Sequence, residues 1–381
     1  MNGLVAADLV VTGTGTPAGP GWVEFAGGRV TGTGTGNPPR EPDRLAAVVV
    51  PGFVDVHCHG GGGASFGAAP DASARAAAFH AAHGSTTVLA SLVTRSPDDL
   101  AGAVRALGPL VDDGVVAGVH LEGPWLAASR CGAHDPGLLR DPDPAEIDPL
   151  LRTGTIAMVT LAPELPGGLD AISRVAASGA VAAVGHTAAG YDLTRRALDA
   201  GARAGTHLFN AMGPVHHRDP GPVAALLADP RTVVELITDG VHVHPALWDI
   251  VGRAAADRVA AVTDAMAAAG MPDGGYRLGD LDVQVTDGVA RLPDGTIAGS
   301  TATADVLFRN VIAAHPGSRP EALDRAVAWT STTPAALLGR EDIGRLQPGS
   351  RADVVLLDAD LGIETVLRAG VVVPPGGPAS G

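Results

Sequence analysis

From residue 48 onward the chain alternates short β-branched apolar runs with Ala/Leu/Arg stretches in which apolar residues recur every three to four positions. The first pattern is that of strands buried on both faces, the second that of amphipathic helices packed against them. Strands are predicted at 48–56, 85–93, 115–122, 156–162, 180–185, 203–208, 233–238 and 259–263. Helices are predicted after them at 71–83, 97–110, 143–152, 168–178, 190–200, 221–228, 245–256 and 302–314. Eight such units in α/β order predict a (β/α)8 TIM-like barrel. Between the eighth strand and its helix, Tyr276 to Ile297 carries turn signals at Thr286-Asp287-Gly288 and Asp294-Gly295, which predict a β-hairpin insert over about 274–298. Residues 1–47 are rich in Thr, Gly and Pro, with β-like runs at Leu4–Val11 and Gly21–Val30 and a loop expected at Gly32–Pro42. A further helix at about 320–338 precedes Gly344 to Val373, which returns to strand-like alternation. The two chain ends, 1–47 and 344–381, are therefore expected to form one small β-sandwich domain beside a barrel domain at 48–343.

Apolar types make up 46% of the 381 residues, enough for a large core, which excludes wholesale disorder. The 26 cationic residues are all arginine and face 41 acidic ones, for a net charge of −15, and aromatics make up only 3%. A nucleic-acid binder needs a basic stripe and stacking platforms, so no nucleic-acid partner is expected. A local basic pocket for a small anion stays compatible with this balance. The longest uncharged stretches, Ala76–Thr94 and Val175–Tyr191, are broken by His, Gly, Ser and Thr. They are too polar to span a bilayer, so no membrane partner is expected either. The opening Met-Asn-Gly-Leu has no signal-like pattern, which makes the cytoplasm the expected location. Two cysteines, Cys58 and Cys131, exclude a disulfide framework. The absence of lysine excludes Schiff-base chemistry, a P-loop lysine and a carbamylated-lysine metal bridge.

Histidines and carboxylates recur where the predicted strands end. The first strand runs into Asp55-Val56-His57-Cys58-His59, and strand alternation puts His57 and His59 on one face with Cys58 behind. The third ends in His120-Leu121-Glu122, the fifth in Gly185-His186, the sixth in Thr206-His207 and the eighth in Thr263-Asp264. In a barrel all of these lie on the catalytic rim, and closure sets strand eight beside strand one. Four histidines and two carboxylates suit zinc or a similar divalent ion, with room for two ions if a carboxylate bridges. With no lysine available, Glu122 is the natural bridge. His120 shares a face with Glu122 and is expected beside the metal rather than on it, while His80 and His83 belong to an outer helix.

Pro51 to Gly60 and Val262-Thr263-Asp264-Ala265 resemble amidohydrolase-superfamily metal motifs. More narrowly, His120 to Trp125, Gly132-Ala133-His134, Gly185-His186-Thr187, Thr206 to Met212, Asp239 to Pro245 and Ala298-Gly299-Ser300 resemble the N-acetylglucosamine-6-phosphate deacetylase family. The order and spacing agree from about residue 48 to 358, and Asn210-Ala211-Met212 after His207 is the most specific piece. The resemblance implies a metal-dependent deacetylase, with a barrel and a flanking β-sandwich, that works as a homodimer. It implies that Glu122, His186 and His207 hold a main metal, and that His57 and His59, with Glu122 and Asp264, hold a second. Some members of the family carry amides in place of the HxH pair and keep one metal; both histidines stand here, so one or two ions per subunit are expected. Zinc comes first, with iron, manganese and cobalt served by the same donors.

By the same resemblance Asp264 is the catalytic base and then acid, Ala133 and His134 contact the sugar and polarise its acetyl group, and Asn210 and Ala211 contact the sugar. Arg218 and His242 form the family's phosphate-binding pair, supplied across the dimer interface to the neighbouring subunit's site. Ile297, Ala298 and Gly299 close the pocket through backbone contacts, and Cys131 is a lid candidate or an ordinary exposed thiol. His216-His217, before Arg218, departs from the family pattern. The activity implied is hydrolysis of N-acetyl-D-glucosamine 6-phosphate to the amine and acetate. Two rivals stand beside it: a deacylase of another N-acyl amino-sugar phosphate or N-acyl amino acid, and a metal-binding scaffold without turnover. Arg218 and His242 discriminate the first, and acetate release the second.

Overall fold

The computed structural model describes residues 2–15 and 18–375. The chain divides into two compact units, one made of the described residues of 1–55, 78–87 and 303–377, the other of 56–77 and 88–302. No helix among the described residues is long and apolar enough to cross a membrane.

In the first unit both chain ends meet in one seven-stranded sheet. Its order is Val371–Val372, Ile363–Arg368, Val354–Leu357, Arg44–Pro51, Gly3–Val10, Gly19–Ala26 and Arg29–Thr35. Every pair is antiparallel except Gly3–Val10 with Arg44–Pro51. The expected single run at Gly21–Val30 is two strands, because Gly27 and Gly28 both take positive φ (57° and 79°) and turn the chain back on itself. Part of the expected 32–42 loop, up to Thr35, belongs to the second of these strands. Val5, Val23, Phe25, Val49, Val354 and Leu367 share one buried cluster, so strands from both chain ends contribute to the same core. The expected strand 48–56 is also divided. Arg44–Pro51 belongs to this sheet, Gly52 breaks the run, and Phe53–Asp55 pairs instead with Ser85–Val88. The expected domain boundary at 48 thus falls inside a strand. Helices Ala304–Ala314 and Arg319–Val327 also belong to this unit, the second opened by a Ser318/Glu321 capping box. The helix expected at 320–338 is interrupted by a π-helical stretch at Ala328–Thr332 before Thr333–Leu337.

The second unit contains seven parallel strands in chain order: Ala90–Leu92, Val119–Glu122, Ile156–Leu161, Val181–Val184, Ala204–Gly205, Val233–Leu236 and Val259–Ala261. Helices Pro97–Asp112, Pro144–Leu151, Gly168–Ala177, Tyr191–Asp199, Gly221–Ala228 and Pro245–Ala255 connect them. The first of these shows why the sequence folds so. Ser96 caps it by accepting from Asp99 N, Pro97 occupies the first turn, and Leu100, Ala103, Val104 and Leu107 form one buried stripe. Burying each of the larger side chains contributes roughly 1.5–3 kcal/mol.

His57–His59 joins the two ends of this ladder. Ser91 N donates to Cys58 O on one side (2.9 Å), while Asp264 N donates to His57 O (2.8 Å) and His59 N to Ala265 O (2.7 Å) on the other. The insert is a three-stranded antiparallel sheet, Gly274–Leu278, Leu281–Thr286 and Val289–Arg291, rather than a two-stranded hairpin. Its Leu278, Val283, Val285 and Ala290 pack with Ala133, Met266 and Ala298.

Candidate metal centre

The parallel strands release their chains at one edge, and the site stands there. His186, His207 and Asp264 lie two or three residues beyond Val184, Gly205 and Ala261, in left-handed conformation with φ of 47°, 26° and 47°. Such a backbone costs a non-glycine residue on the order of 1–2 kcal/mol, and it turns each side chain off its strand toward a common centre. Glu122 is the last residue of its strand and His57 and His59 follow Phe53–Asp55. All six are buried, from 0% exposure at His57 to 8% at Asp264.

Glu122 lies at the middle. Its Oε1 is 3.1 Å from His186 Nε2, 3.0 Å from His207 Nε2 and 3.4 Å from His57 Nε2, and its Oε2 is 3.1 Å from His59 Nε2. Asp264 Oδ1 stands 3.4 and 3.2 Å from the Nε2 atoms of His57 and His59. The two histidine pairs face each other nitrogen to nitrogen, His57 to His59 at 3.1 Å and His186 to His207 at 3.0 Å. His57 Nδ1 donates to Glu235 Oε2 (3.0 Å) and His186 Nδ1 to the Arg130 carbonyl (2.8 Å). A neutral imidazole that donates through Nδ1 presents a lone pair at Nε2. Lone pairs converging at 3 Å with two carboxylates form a donor set that fits divalent cations and little else. His57, His59 and Asp264 on one side, and Glu122 with His186 on the other, each bring their ligand atoms within 4.8 Å of one another.

Charge at the centre follows from burial against these carboxylates. Burial alone would push the His57 imidazolium down, yet Glu122, Asp264 and Glu235 hold it well above its ordinary value. Burial likewise opposes protonation of His59 and His207, but Asp264 and Glu122 raise both, His59 to about 8. At His186 burial prevails and the pKa falls to about 4. Burial would raise Glu122 and Asp264, and the surrounding imidazoles hold both below the usual carboxylate range. The cluster therefore attracts positive charge, which protons supply when metal does not. His120 lies under His57 with ring centroids 4.6 Å apart, and burial drives it well below the ordinary value. It is held by Ser91 Oγ (2.9 Å) and Thr160 Oγ1 (2.8 Å), beside the centre as expected.

His134 requires a separate argument, because its Nε2 is 3.3 Å from Glu122 Oε2 and donor counting alone would group it with Glu122 and His186 as a ligand. Thr94 N donates to His134 Nδ1 (3.2 Å), so Nδ1 is an acceptor and the ring hydrogen sits on Nε2. His134 thus points a donor, not a lone pair, at the centre.

A cleft of about 360 Å³ opens over the cluster. His59, Glu122, His186, His207 and Asp264 form its floor, and Ala133, His134, Asn210, Ala211, His242, Ile297 and Gly299 line it. Ala298 does not; it is fully buried and gives its amide to Ala290 O (3.0 Å). His242 lines the cleft of its own chain. Asp239 Oδ1 accepts from the amides of Val241 and His242, and its Oδ2 binds His242 Nδ1 (2.7 Å), which turns the ring inward. Arg218 lies on an exposed loop, 2.7 Å from His217 Nε2, and does not line its own chain's cleft. Cys131 is a half-buried free thiol in the loop between Arg130 and His134, and Cys58 is fully buried. His80 is buried on helix Pro70–Ala82, and His83 pairs with Asp305 (3.3 Å).

Two residues of the site went unread in the sequence. Glu235 is the one charge inside Val233–Leu236, and a carboxylate in so apolar a strand was the available signal. Thr94 carries no motif at all.

Residues 48–373 match the model of the amidohydrolase family. An N-acetyl-D-glucosamine-6-phosphate deacetylase from Mycobacterium smegmatis, solved with N-acetyl-D-glucosamine 6-phosphate, is 51% identical with a TM-score of 0.95, covering 98% of this chain and 99% of that one. An N-acetylgalactosamine-6-phosphate deacetylase from Escherichia coli is 38% identical over 85% of this chain and 87% of its own. An N-acetylglucosamine-6-phosphate deacetylase from Vibrio furnissii is 36% identical over 85% and 82%.

Proposed function

The chain belongs to the amidohydrolase family, and on that premise we propose that it is a metal-dependent deacetylase that hydrolyses N-acetyl-D-glucosamine 6-phosphate to D-glucosamine 6-phosphate and acetate. The observation that carries this reading is the convergence of four imidazole nitrogens and two carboxylates on the floor of a cleft whose wall supplies one further donor, His134 Nε2. Two divalent cations, one at Glu122, His186 and His207 and one at His57, His59, Glu122 and Asp264, would supply Lewis acidity, polarising a carbonyl oxygen and making water a better nucleophile near neutral pH. Zinc suits this donor set, and iron, manganese and cobalt are served by the same ligands.

Asp264 lines the cleft with its carboxyl held low, so it begins the reaction as a base. It takes a proton from the attacking water as the C–O bond forms, then returns it to the nitrogen as the C–N bond breaks and acetate leaves. His134 donates to the acetyl oxygen as that atom gains charge. Ala133, Asn210, Ala211, Ile297 and Gly299 bound the sugar, and His242, which lines the cleft, serves its phosphate. Arg218 serves the phosphate in a homodimer by reaching the neighbouring subunit, a reading supported by its exposed loop and by exposed Val215 and Val241 nearby in sequence. An arginine fork suits that task because it can bond two phosphate oxygens at once. The His57–His59 bridge between ladder ends supports a closed (β/α)8 barrel, and the shared core of the terminal sheet supports a small β domain built from both chain ends. A sugar phosphate does not cross membranes unaided, which supports a cytoplasmic location.

A second reading, action on the 4-epimer, is favoured by the 38% identity to the N-acetylgalactosamine-6-phosphate deacetylase. Acetate release from the two phosphorylated epimers and from unphosphorylated N-acetylglucosamine, with metal supplied, tests both. The gluco phosphate should be turned over fastest. A faster galacto epimer would favour the second reading, and indifference to the phosphate would sink the phosphate-directed version.

A further inference from the structure

We propose that Glu235 is the positioning residue that secures one metal ligand from each half of the centre, His57 and His207, through a single carboxylate oxygen. The inference rests on reading the cluster as a two-ion centre. Glu235 occupies strand Val233–Leu236, pairs in register with Ala260, and is fully buried. Its Oε2 accepts from His57 Nδ1 at 3.0 Å and from the backbone amide of His207 at 3.1 Å, and its own carbonyl accepts from Leu208 N at 2.8 Å.

These contacts act on different problems. The bond to His57 Nδ1 selects the tautomer whose lone pair lies at Nε2, the atom that faces His59, Glu122 and Asp264. The bond to His207 N holds a residue whose φ of 26° has left the strand conformation, so the backbone that aims the ring is tied down where it is most strained. The remaining histidines lack an equivalent support or find it elsewhere. His186 is held by the Arg130 carbonyl, and the Nδ1 atoms of His59 and His207 have no hydrogen-bond partner among the described residues. Glu235 therefore supplies the side-chain support for His57 and the backbone support for His207, without lining the cleft.

The geometry also says what a substitution removes. Glu235 Oε1 has no partner among the described residues, so both bonds to the ligands pass through Oε2. Glutamine keeps one acceptor oxygen in the right place and puts its amide nitrogen where Oε1 lies. Leucine fills the volume and leaves His57 Nδ1 and His207 N without an acceptor.

The test is zinc retention by the full chain, measured as equivalents left after dialysis against a graded chelator, with thermal unfolding of the metal-free forms as the check on folding. Glu235→Leu should weaken zinc retention by about 10–100-fold. Glu235→Gln should recover most of that loss, and KM should stay at the wild-type value in both because Glu235 does not line the cleft. Where the leucine variant does not fold, Glu235→Asp takes its place, since a carboxylate one methylene shorter falls short of both donors and should show the same loss. A folded leucine or aspartate variant that retains zinc like the wild type overturns the proposal, as does a glutamine variant as impaired as leucine. Wild-type protein that holds no zinc at all would instead overturn the two-ion reading, which keeps the failures distinct.

Discussion

Replacing His134 with asparagine should cut turnover by about 100- to 1,000-fold while leaving the metal content untouched. The asparagine oxygen can still accept from Thr94 N, so the loop is kept in place, but the hydrogen that His134 carries at Nε2 is lost. That hydrogen is assigned by the Thr94 amide, 3.2 Å from Nδ1, which leaves Nε2 as the donor. It points at the centre beside Glu122 Oε2 (3.3 Å), where the acetyl oxygen gains charge as its carbon becomes tetrahedral. A preorganised donor to such an oxygen is worth roughly 2.7–4 kcal/mol, and at about 1.4 kcal/mol per factor of ten this gives the stated range. The ground-state carbonyl is bound less strongly by the same donor, so the loss belongs mainly to kcat rather than KM. Steady-state acetate release and elemental analysis of the purified variant, run on the same preparation, check both halves. A variant with wild-type kcat would remove His134 from the reaction. A variant that loses an equivalent of metal would make it a ligand and refute the tautomer argument.

Asp264→Asn should reduce turnover by at least about 100-fold, since an amide can neither take nor return the proton, while most metal remains bound through the four histidines and Glu122; near-normal acetate release would refute the assignment. Adding zinc to metal-free protein at pH 7 should release protons, because the carboxylates hold His57 well above its ordinary value and raise His59 to about 8. These groups are raised, so they are protonated below that value and metal affinity should climb as pH rises through it. Calorimetry in buffers of different ionisation enthalpy reads the released protons, and an unchanged heat across buffers would contradict the charge balance given for the cluster. Gly185→Ala would set a Cβ 2.6 Å from Thr206 Cβ and 2.8 Å from Thr160 Cγ2, forcing apart strands whose threonines are hydrogen-bonded at 2.8 Å. It should cost about 1–3 kcal/mol in urea unfolding, and a midpoint equal to wild type would show the strands can give way.

Regular helices were the most legible part of the chain. The stretches expected at 97–110 and 245–256 are Pro97–Asp112 and Pro245–Ala255, because cap, proline and apolar stripe all agree there, and that at 221–228 is Gly221–Ala228, with Pro222 in its first turn. The metal-centre residues were legible for a different reason: a histidine or carboxylate at the end of an apolar strand is conspicuous, and six of them recur at strand ends. What misled was continuity of apolar character. The stretch 48–56 reads as one run, yet Gly52 divides it between two sheets, and a periodicity of two carries no record of which neighbour a strand will choose. The third strand of the insert, Val289–Arg291, is only three residues long and left no pattern to read. Glu235 and Thr94 were missed because their roles exist only after folding. One reaches His57 across 178 positions and the other reaches His134 across 40. The direction in which His242 turns was likewise set by a local ring of hydrogen bonds from Asp239, which spacing alone does not specify.

The carboxylate at the hub of the four imidazoles, Glu122, is an ordinary encoded side chain, and the polypeptide has no lysine anywhere that could capture carbon dioxide to make a substitute. Every donor the centre requires is therefore in place once the strands have assembled. A metal centre built on an encoded carboxylate would have no need of bicarbonate to complete its ligands.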